Sequence, residues 1–259
     1  MSLTSAARSQ LVERLLPAVR EAGRAVLDIY STDFEVRRKT DASPVTEADE
    51  RAEAILLAAL ADIAPTIPVI AEEAVAEGRI PTIRDCFWLV DPLDGTQEFI
   101  SRNDEFTVNV ALIEAGEPTV GVVFAPALER LFAGSSGAGA FVEENGIRRN
   151  ITPRSPPPGG LTVVISRSHN TPVALENFFQ NTAIGELKNV GSSLKLCLIA
   201  AGEADLYPRF GRTMEWDIAA GHAILAAAGG RVADINGQPL VYGKPGFDNP
   251  SLVAYGREE

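Results

Sequence analysis

The chain has 259 residues and a mass of 27.6 kDa, enough for one large domain or two small ones with a core that needs no covalent staples. Apolar residues make up 46% and charged residues 22%, which excludes a wholly disordered chain. With 23 basic and 35 acidic side chains the net charge is −12, so neither a nucleic-acid polymer nor an anionic membrane is an expected non-specific partner. A small anion would need a metal ion or a local cluster of Lys and Arg.

Apolar positions Ala7, Leu11, Leu15, Val19, Ala22, Val26 and Tyr30 follow one face of a helix over residues 6–30. Pro17 inside it would cost about 3 kcal/mol in a helix interior, so a kink, or a helix beginning near it, is expected rather than one straight rod. Ser43-Pro44 precedes a second amphipathic helix at 46–63. From residue 87 the period changes. Phe87–Val90 reads as a buried strand, and Thr107–Ile113, Thr119–Ala125, Leu131–Gly134 and Ala140–Glu143 as short strands. Tight connections such as Glu114-Ala115-Gly116-Glu117 predict antiparallel neighbours.

The proline-rich run at 153–160 is the best linker, expected to be stiff and extended. Beyond it strands at 161–166, near 187–190, 204–208, 231–234 and 251–254 alternate with helices at 172–180, 192–201 and 215–228, an α/β pattern. Two packed subdomains are expected: residues 1–153, α+β with an antiparallel sheet, and residues 161–259, α/β. Cys86 and Cys197 both lie in apolar runs, which suits a reducing compartment and no disulfide framework. No run of 18 apolar residues and no secretory leader are read, so the cytoplasm is expected. Nothing in the pattern separates a monomer from a homodimer.

The most informative stretch is Trp88-Leu89-Val90-Asp91-Pro92-Leu93-Asp94-Gly95-Thr96. Asp91 directly follows a buried strand, which Pro92 is expected to stop. Asp94 lies in a turn that Gly95 allows. Two carboxylates this close repel unless a cation sits between them, and a hard divalent cation takes oxygen ligands together with a substrate phosphate. Gly95-Thr96 opens a helical turn whose N–H groups suit a phosphate. A D-P-x-D-G segment also serves as a plain turn. Likewise Glu72-Glu73, after the apolar run 67–70, could be a solvated pair. Asp217, opening Trp216-Asp217-Ile218-Ala219-Ala220-Gly221, could be a first-turn Asp on the helix dipole. Asp49, three residues after Thr46, could belong to a capping box.

Taken together, Asp91-Pro92-Leu93-Asp94-Gly95-Thr96, the upstream Glu72-Glu73 and the downstream Trp216–Gly221 resemble the inositol monophosphatase superfamily over roughly residues 6 to 255. The resemblance implies a layered αβαβα sandwich of the α/β class, and a Mg²⁺-dependent, lithium-sensitive phosphatase that holds two or three ions. It implies Glu72, Asp91, the carbonyl of Leu93, Asp94 and Asp217 as metal ligands, and Gly95 and Thr96 as phosphate donors. Asp49, Thr96 and Glu72 would form the catalytic group that orients the attacking water for in-line hydrolysis. Members of the superfamily can sit loosely on the inner face of a membrane.

The second half bears on the substrate. Ser166-Arg167-Ser168-His169, Gly191-Ser192-Ser193-Leu194-Lys195 and Leu206-Tyr207-Pro208-Arg209-Phe210 bring Lys195 and Arg209 into an acidic protein, which suits a second phosphate better than a ring of hydroxyls. Each also has a plainer reading: a solvated helix face for Lys195, a surface salt bridge for Arg209, a surface loop for His169. His222, mid-helix, is expected to be structural. These segments resemble the CysQ-type branch, the 3′(2′),5′-bisphosphate nucleotidases of sulfate assimilation. The resemblance implies a small nucleotide bisphosphate as substrate, with His169, Ser192, Lys195 and Arg209 lining its pocket and AMP and phosphate as products; the phosphosulfate relative is a further candidate. An inositol or sugar monophosphatase, and a non-catalytic nucleotide-binding protein, are the alternatives.

Overall fold

The computed structural model describes residues 2–39, 43–167, 172–180 and 182–257. In chain order the elements are α1 (Ser5–Tyr30), β1 (Arg37–Arg38), β2 (Pro44–Val45), α2 (Glu47–Ile63), β3 (Val69–Ala71), α3 (Glu72–Ala76), β4 (Cys86–Asp94), α4 (Thr96–Ile100), β5 (Thr107–Glu114), β6 (Glu117–Ala125), β7 (Arg130–Ser135), β8 (Gly139–Glu144), β9 (Ile147–Ile151), β10 (Leu161–Ser166), α5 (Pro172–Phe179), β11 (Ile184–Val190), α6 (Leu194–Ala200), β12 (Leu206–Arg209), α7 (Glu215–Ala228), β13 (Arg231–Asp234) and β14 (Leu252–Tyr255).

Strands β3 to β9 form one seven-stranded sheet in sequence order, parallel between β3 and β4 and antiparallel elsewhere. Period-two alternation splits its side chains. Trp88, Val90, Val108, Val110 and Val122 pack under α1 and α2, while Phe87, Leu89, Ala111, Ile113 and Val123 pack against α6 and α7. The other face of those two helices meets a mixed five-stranded sheet of order β11-β10-β12-β14-β13. Helix α5 closes the far side, with Leu175 on Val163, Ile165, Leu206 and Val253. The layers are therefore α, β, α, β, α, as the resemblance implied. The central layer sits tightly: a Cβ on Gly121 of β6 would come 2.2 Å from the carbonyl oxygen of Ala220 in α7, so only glycine permits the approach.

Several expectations are corrected. Helix α1 runs through Pro17 rather than beginning near it. Pro17 is on the exposed face, where the Glu13 carbonyl deprived of its N–H partner can be hydrated. Strand β4 does not stop at Pro92; its pairing with β5 slips between Asp91 and Asp94 and resumes at Asp94 with Thr107. Strand β9 was not foreseen, and β11 begins at Ile184 rather than near 187. Arg209 is the last residue of β12, not a residue after it. The expected linker at 153–160 is anchored at Arg154, which donates to both carboxylate oxygens of Asp205 at 2.8 and 2.7 Å and to the Thr162 hydroxyl at 2.8 Å.

Candidate active site

Because β4 alternates, Asp91 shares the face of Phe87 and Leu89 and points toward the central helices. Helix α7 packs across β4, β5 and β6 and presents its first turn there. Asp217, third in that helix, accepts from the Met214 N–H at 2.9 Å and the Thr213 hydroxyl at 2.8 Å, so the helix start itself fixes the carboxylate. Glu72 arrives from the end of β3, beside β4. Glu72, Asp91 and Asp217 each offer a carboxylate oxygen within 4.8 Å of the others. An all-oxygen donor set of this kind fits a hard divalent cation.

The electrostatics show what the cluster costs. Burial, followed by the charges of Glu72, Asp94 and Asp217, holds Asp91 well above the usual carboxylate range. Burial and then Asp217 push Asp94 up to about 7. Burial and then Glu72 push Asp217 up to about 6. Like charges at short range out of water favour protonation unless a cation intervenes. One cation is already present. The Lys39 ammonium donates to Glu72 and Glu73 at 2.6 Å each, and those carboxylates outweigh burial to raise its pKa.

The site residues lie around one cavity of about 530 Å³. Glu72, Asp91, Leu93, Asp94, Gly95, Thr96 and Asp217 line it together with Ser192, Lys195 and Arg209, and a Cβ on Gly95 would lie 3.3 Å from that of Ser192. Asp94 shares the wall but not the three-carboxylate group. Gly95 adopts φ +90°, which glycine alone takes without strain, and α4 starts immediately after it. The Thr96 hydroxyl donates to the Leu93 carbonyl at 3.2 Å. The Asp91 carboxylate accepts from the Leu93 N–H at 3.0 Å.

Asp49 is buried but is not among the cavity-lining residues. One of its oxygens accepts from the Thr46 N–H and the Thr46 hydroxyl, both at 2.8 Å, which is the capping box. Burial pushes Asp49 up to about 6. Among the described residues no hydrogen bond joins Asp49 to Thr96. His169 lies outside the described residues. His222 is internal: its Nδ1 is 2.8 Å from the Tyr242 hydroxyl.

Lys195 and Arg209 are both more than nine-tenths buried. The Lys195 ammonium donates to the carbonyls of Val190, at 3.2 Å, and Ser192. Burial pulls it down to about 8 against the opposing charge of Asp94. Arg209 donates to the carbonyls of Gly211 at 3.2 Å and Arg212 at 2.5 Å. Among the described residues neither cation has a carboxylate in salt-bridge range, so the surface salt bridge and the solvated helix face are both corrected.

Sequence reasoning missed Lys39, Glu53 and Thr213, and it left Glu73 open as a solvated charge. Glu73 is buried, and its N–H donates to buried Glu53 at 2.8 Å. The signal for Glu53 was a charged residue four after Asp49 on the apolar helix face. Lys39 carried no signal, since it sits in a polar stretch far from its partners in sequence.

The pattern of the inositol monophosphatase family matches residues 7–257. A Salmonella typhimurium protein named 3′(2′),5′-bisphosphate nucleotidase CysQ is 46% identical over 245 residues, covering 93% of this chain and 98% of its own. Its counterpart of the same name from Escherichia coli K12 is 43% identical over the same shares. The crystal structure of CysQ from Bacteroides thetaiotaomicron superposes with a TM-score of 0.81 at 37% identity, over 97% of this chain and 98% of that one. An IMPase from Thermotoga maritima gives 0.76 at 26% identity, over 92% and 89%. The chain belongs to the inositol monophosphatase family.

Proposed function

We propose that this chain is a Mg²⁺-dependent 3′(2′),5′-bisphosphate nucleotidase that removes the 3′-phosphate of 3′-phosphoadenosine 5′-phosphate, leaving AMP and phosphate. The observation that carries this reading is the pair Lys195 and Arg209. Two buried cations line the same cavity as a carboxylate cluster, and both donate hydrogen bonds to main-chain carbonyls. Asp94 and Asp217 act on these cations only through space, with no carboxylate at contact distance among the described residues, and a second phosphate on the substrate would take that place. The names carried by relatives at 43–46% identity agree.

In this reading Glu72, Asp91, Asp217 and the nearby Asp94 and Leu93 carbonyl would hold Mg²⁺. Bound there, the ion supplies charge neutralisation for the phosphoryl group and lowers the pKa of the water that attacks it. The chain's own residues do the rest. The N–H groups opening α4 at Gly95 and Thr96 face the transferred phosphoryl oxygens. Arg209 and Lys195 fix the 5′-phosphate end, and Ser192 offers its hydroxyl beside them. Asp49 holds Thr46 and the start of α2, and with Glu72, whose charge it feels, and Thr96 it would orient the attacking water. No nucleophilic side chain is required, since Cys197 is buried with its thiol pushed up and Cys86 is half-buried with its thiol likewise raised. The reaction would clear the nucleotide bisphosphate formed in sulfate assimilation. Among the described residues no helix is long and apolar enough to cross a membrane.

The test is ³¹P NMR of the product mixture. Loss of the 3′-phosphate with the 5′-phosphate retained, abolished by EDTA, is expected. Loss of the 5′-phosphate, or turnover that ignores EDTA, would refute the reading.

A further inference from the structure

Ser193 is buried at the start of α6, between Ser192 and the helix that carries Lys195. Its hydroxyl donates to the Asn109 side-chain carbonyl at 2.7 Å and lies 2.9 Å from the Thr107 hydroxyl. A serine has one proton to give. With that proton on Asn109, the Thr107 hydroxyl is the donor in the second contact.

These two partners are not arbitrary residues of β5. In the β4–β5 register Asn109 stands opposite Asp91, and Thr107 opposite Asp94. One hydroxyl therefore grips the two side chains that flank the carboxylates across the strand pair. All three groups are buried. The Asn109 amide NH₂ is buried with no hydrogen-bond partner. Leaving such a donor unmade costs about 1–3 kcal/mol, so the amide is a poor device for stability alone.

The segment gripped in this way needs holding. Ser192 has φ +48°, a left-handed conformation that a serine adopts only under constraint. The Gly191 N–H donates to Glu105 at 2.8 Å, and Lys195 folds back on the carbonyls of Val190 and Ser192. Both of those contacts act within the substrate side of the cavity or tie it to a loop. Among the described residues the Ser193 hydroxyl supplies the side-chain hydrogen bonds from this segment to the strand paired with the carboxylates, beside the Ser193 N–H that donates to Asp94.

We propose that Ser193 is a positioning residue: its hydroxyl, clasped by Thr107 and Asn109, fixes the Gly191–Lys195 segment at one distance from Asp91 and Asp94. The spacing between the two phosphate sites of the substrate is thereby built into a side-chain clasp. This rests on the nucleotidase reading above.

The experiment compares wild type with Ser193→Ala, Ser193→Thr and Thr107→Val. KM and kcat are measured on 3′-phosphoadenosine 5′-phosphate with Mg²⁺. Affinity for the same nucleotide and for inorganic phosphate is measured calorimetrically in EDTA. Ser193→Ala is expected to raise KM and both dissociation constants about tenfold, the size of one lost hydrogen bond, with kcat within about threefold. Ser193→Thr should restore them. Thr107→Val should act in the same direction, and combined with Ser193→Ala should add less than about twofold, since both remove one clasp. Unchanged KM and affinities in Ser193→Ala and Thr107→Val, with only a lower melting temperature, would overturn the proposal. Thr107→Val carries the test if Ser193→Ala does not fold. A wild type that ignores the nucleotide, yet binds phosphate in a Ser193-dependent way, would refute the substrate and leave the clasp; a wild type that binds neither overturns both.

Discussion

Asp91, in the slipped part of a central strand, and Asp217, third in a helix packed across that strand, bring carboxylate oxygens within 4.8 Å of each other and of Glu72. Neither position is set by the other. Asp91 is placed by strand alternation and Asp217 by the hydrogen bonds that start its helix. Their meeting depends on the close seat of α7 on the sheet, which Gly121 permits.

Asp91→Asn should separate repulsion from function. It removes one of three crowded charges while keeping shape, so the metal-free protein should melt at the same temperature or higher. Activity should fall by more than about a hundredfold, because an oxygen ligand is weakened. Added Mg²⁺ should raise the melting temperature of wild type and leave the variant nearly unmoved, as ligand linkage requires. Calorimetric scans with EDTA and with Mg²⁺ check both statements.

Arg209→Ala should cost about a hundredfold in kcat/KM on the bisphosphate nucleotide, near 2.7 kcal/mol, and less than about threefold on inositol 1-phosphate. Equal losses on the two substrates would show that Arg209 serves the carbonyls of Gly211 and Arg212 and not an anion. Steady-state kinetics on both substrates decide it.

Thr46→Ala and Asp49→Ala divide capping from chemistry. Both remove the box at the start of α2 and should each cost about 1 kcal/mol of stability. Thr46→Ala should leave kcat within about threefold. Asp49→Ala should lower kcat by more than about tenfold with KM little changed, because its charge also lies near Glu72. Equal kcat values in the two variants would make Asp49 a cap and nothing more.

How much of this was legible in the chain follows from where each signal resides. The acidic motifs around Asp91 and Asp217 are local, and the strand end, the turn at Gly95 and the helix start can be read from their neighbours. Helix α7 has the expected bounds, Glu215–Ala228, and Asp217 marks its start. Strand β9, Ile147-Arg148-Arg149-Asn150-Ile151, is an edge with mostly exposed side chains, so it shows no apolar alternation. Strand β11 is exposed until Val190 for the same reason. Pro17 misled because its cost depends on which face it occupies. Lys39 on Glu72, and the lack of a carboxylate beside Arg209, are products of tertiary placement that no short window contains.

His222 provides a pH signature remote from the carboxylates. Burial pulls its imidazole down to about 4, and its Nδ1 lies 2.8 Å from the Tyr242 hydroxyl. The unfolded chain takes up the proton near the ordinary histidine value, the folded protein only near 4. Stability is therefore full above about pH 6.5 and is lost progressively as pH falls toward 4, by on the order of 3 kcal/mol. His222→Gln should flatten this part of the acid limb in urea melts between pH 4 and 7, and an unaltered limb would contradict the assignment.

The most direct measurement is kcat/KM for phosphate release from 3′-phosphoadenosine 5′-phosphate and from inositol 1-phosphate, with Mg²⁺, on the same preparation. A preference of about a hundredfold or more for the nucleotide is what Lys195 and Arg209 predict. A preference for inositol 1-phosphate would contradict the second-phosphate site.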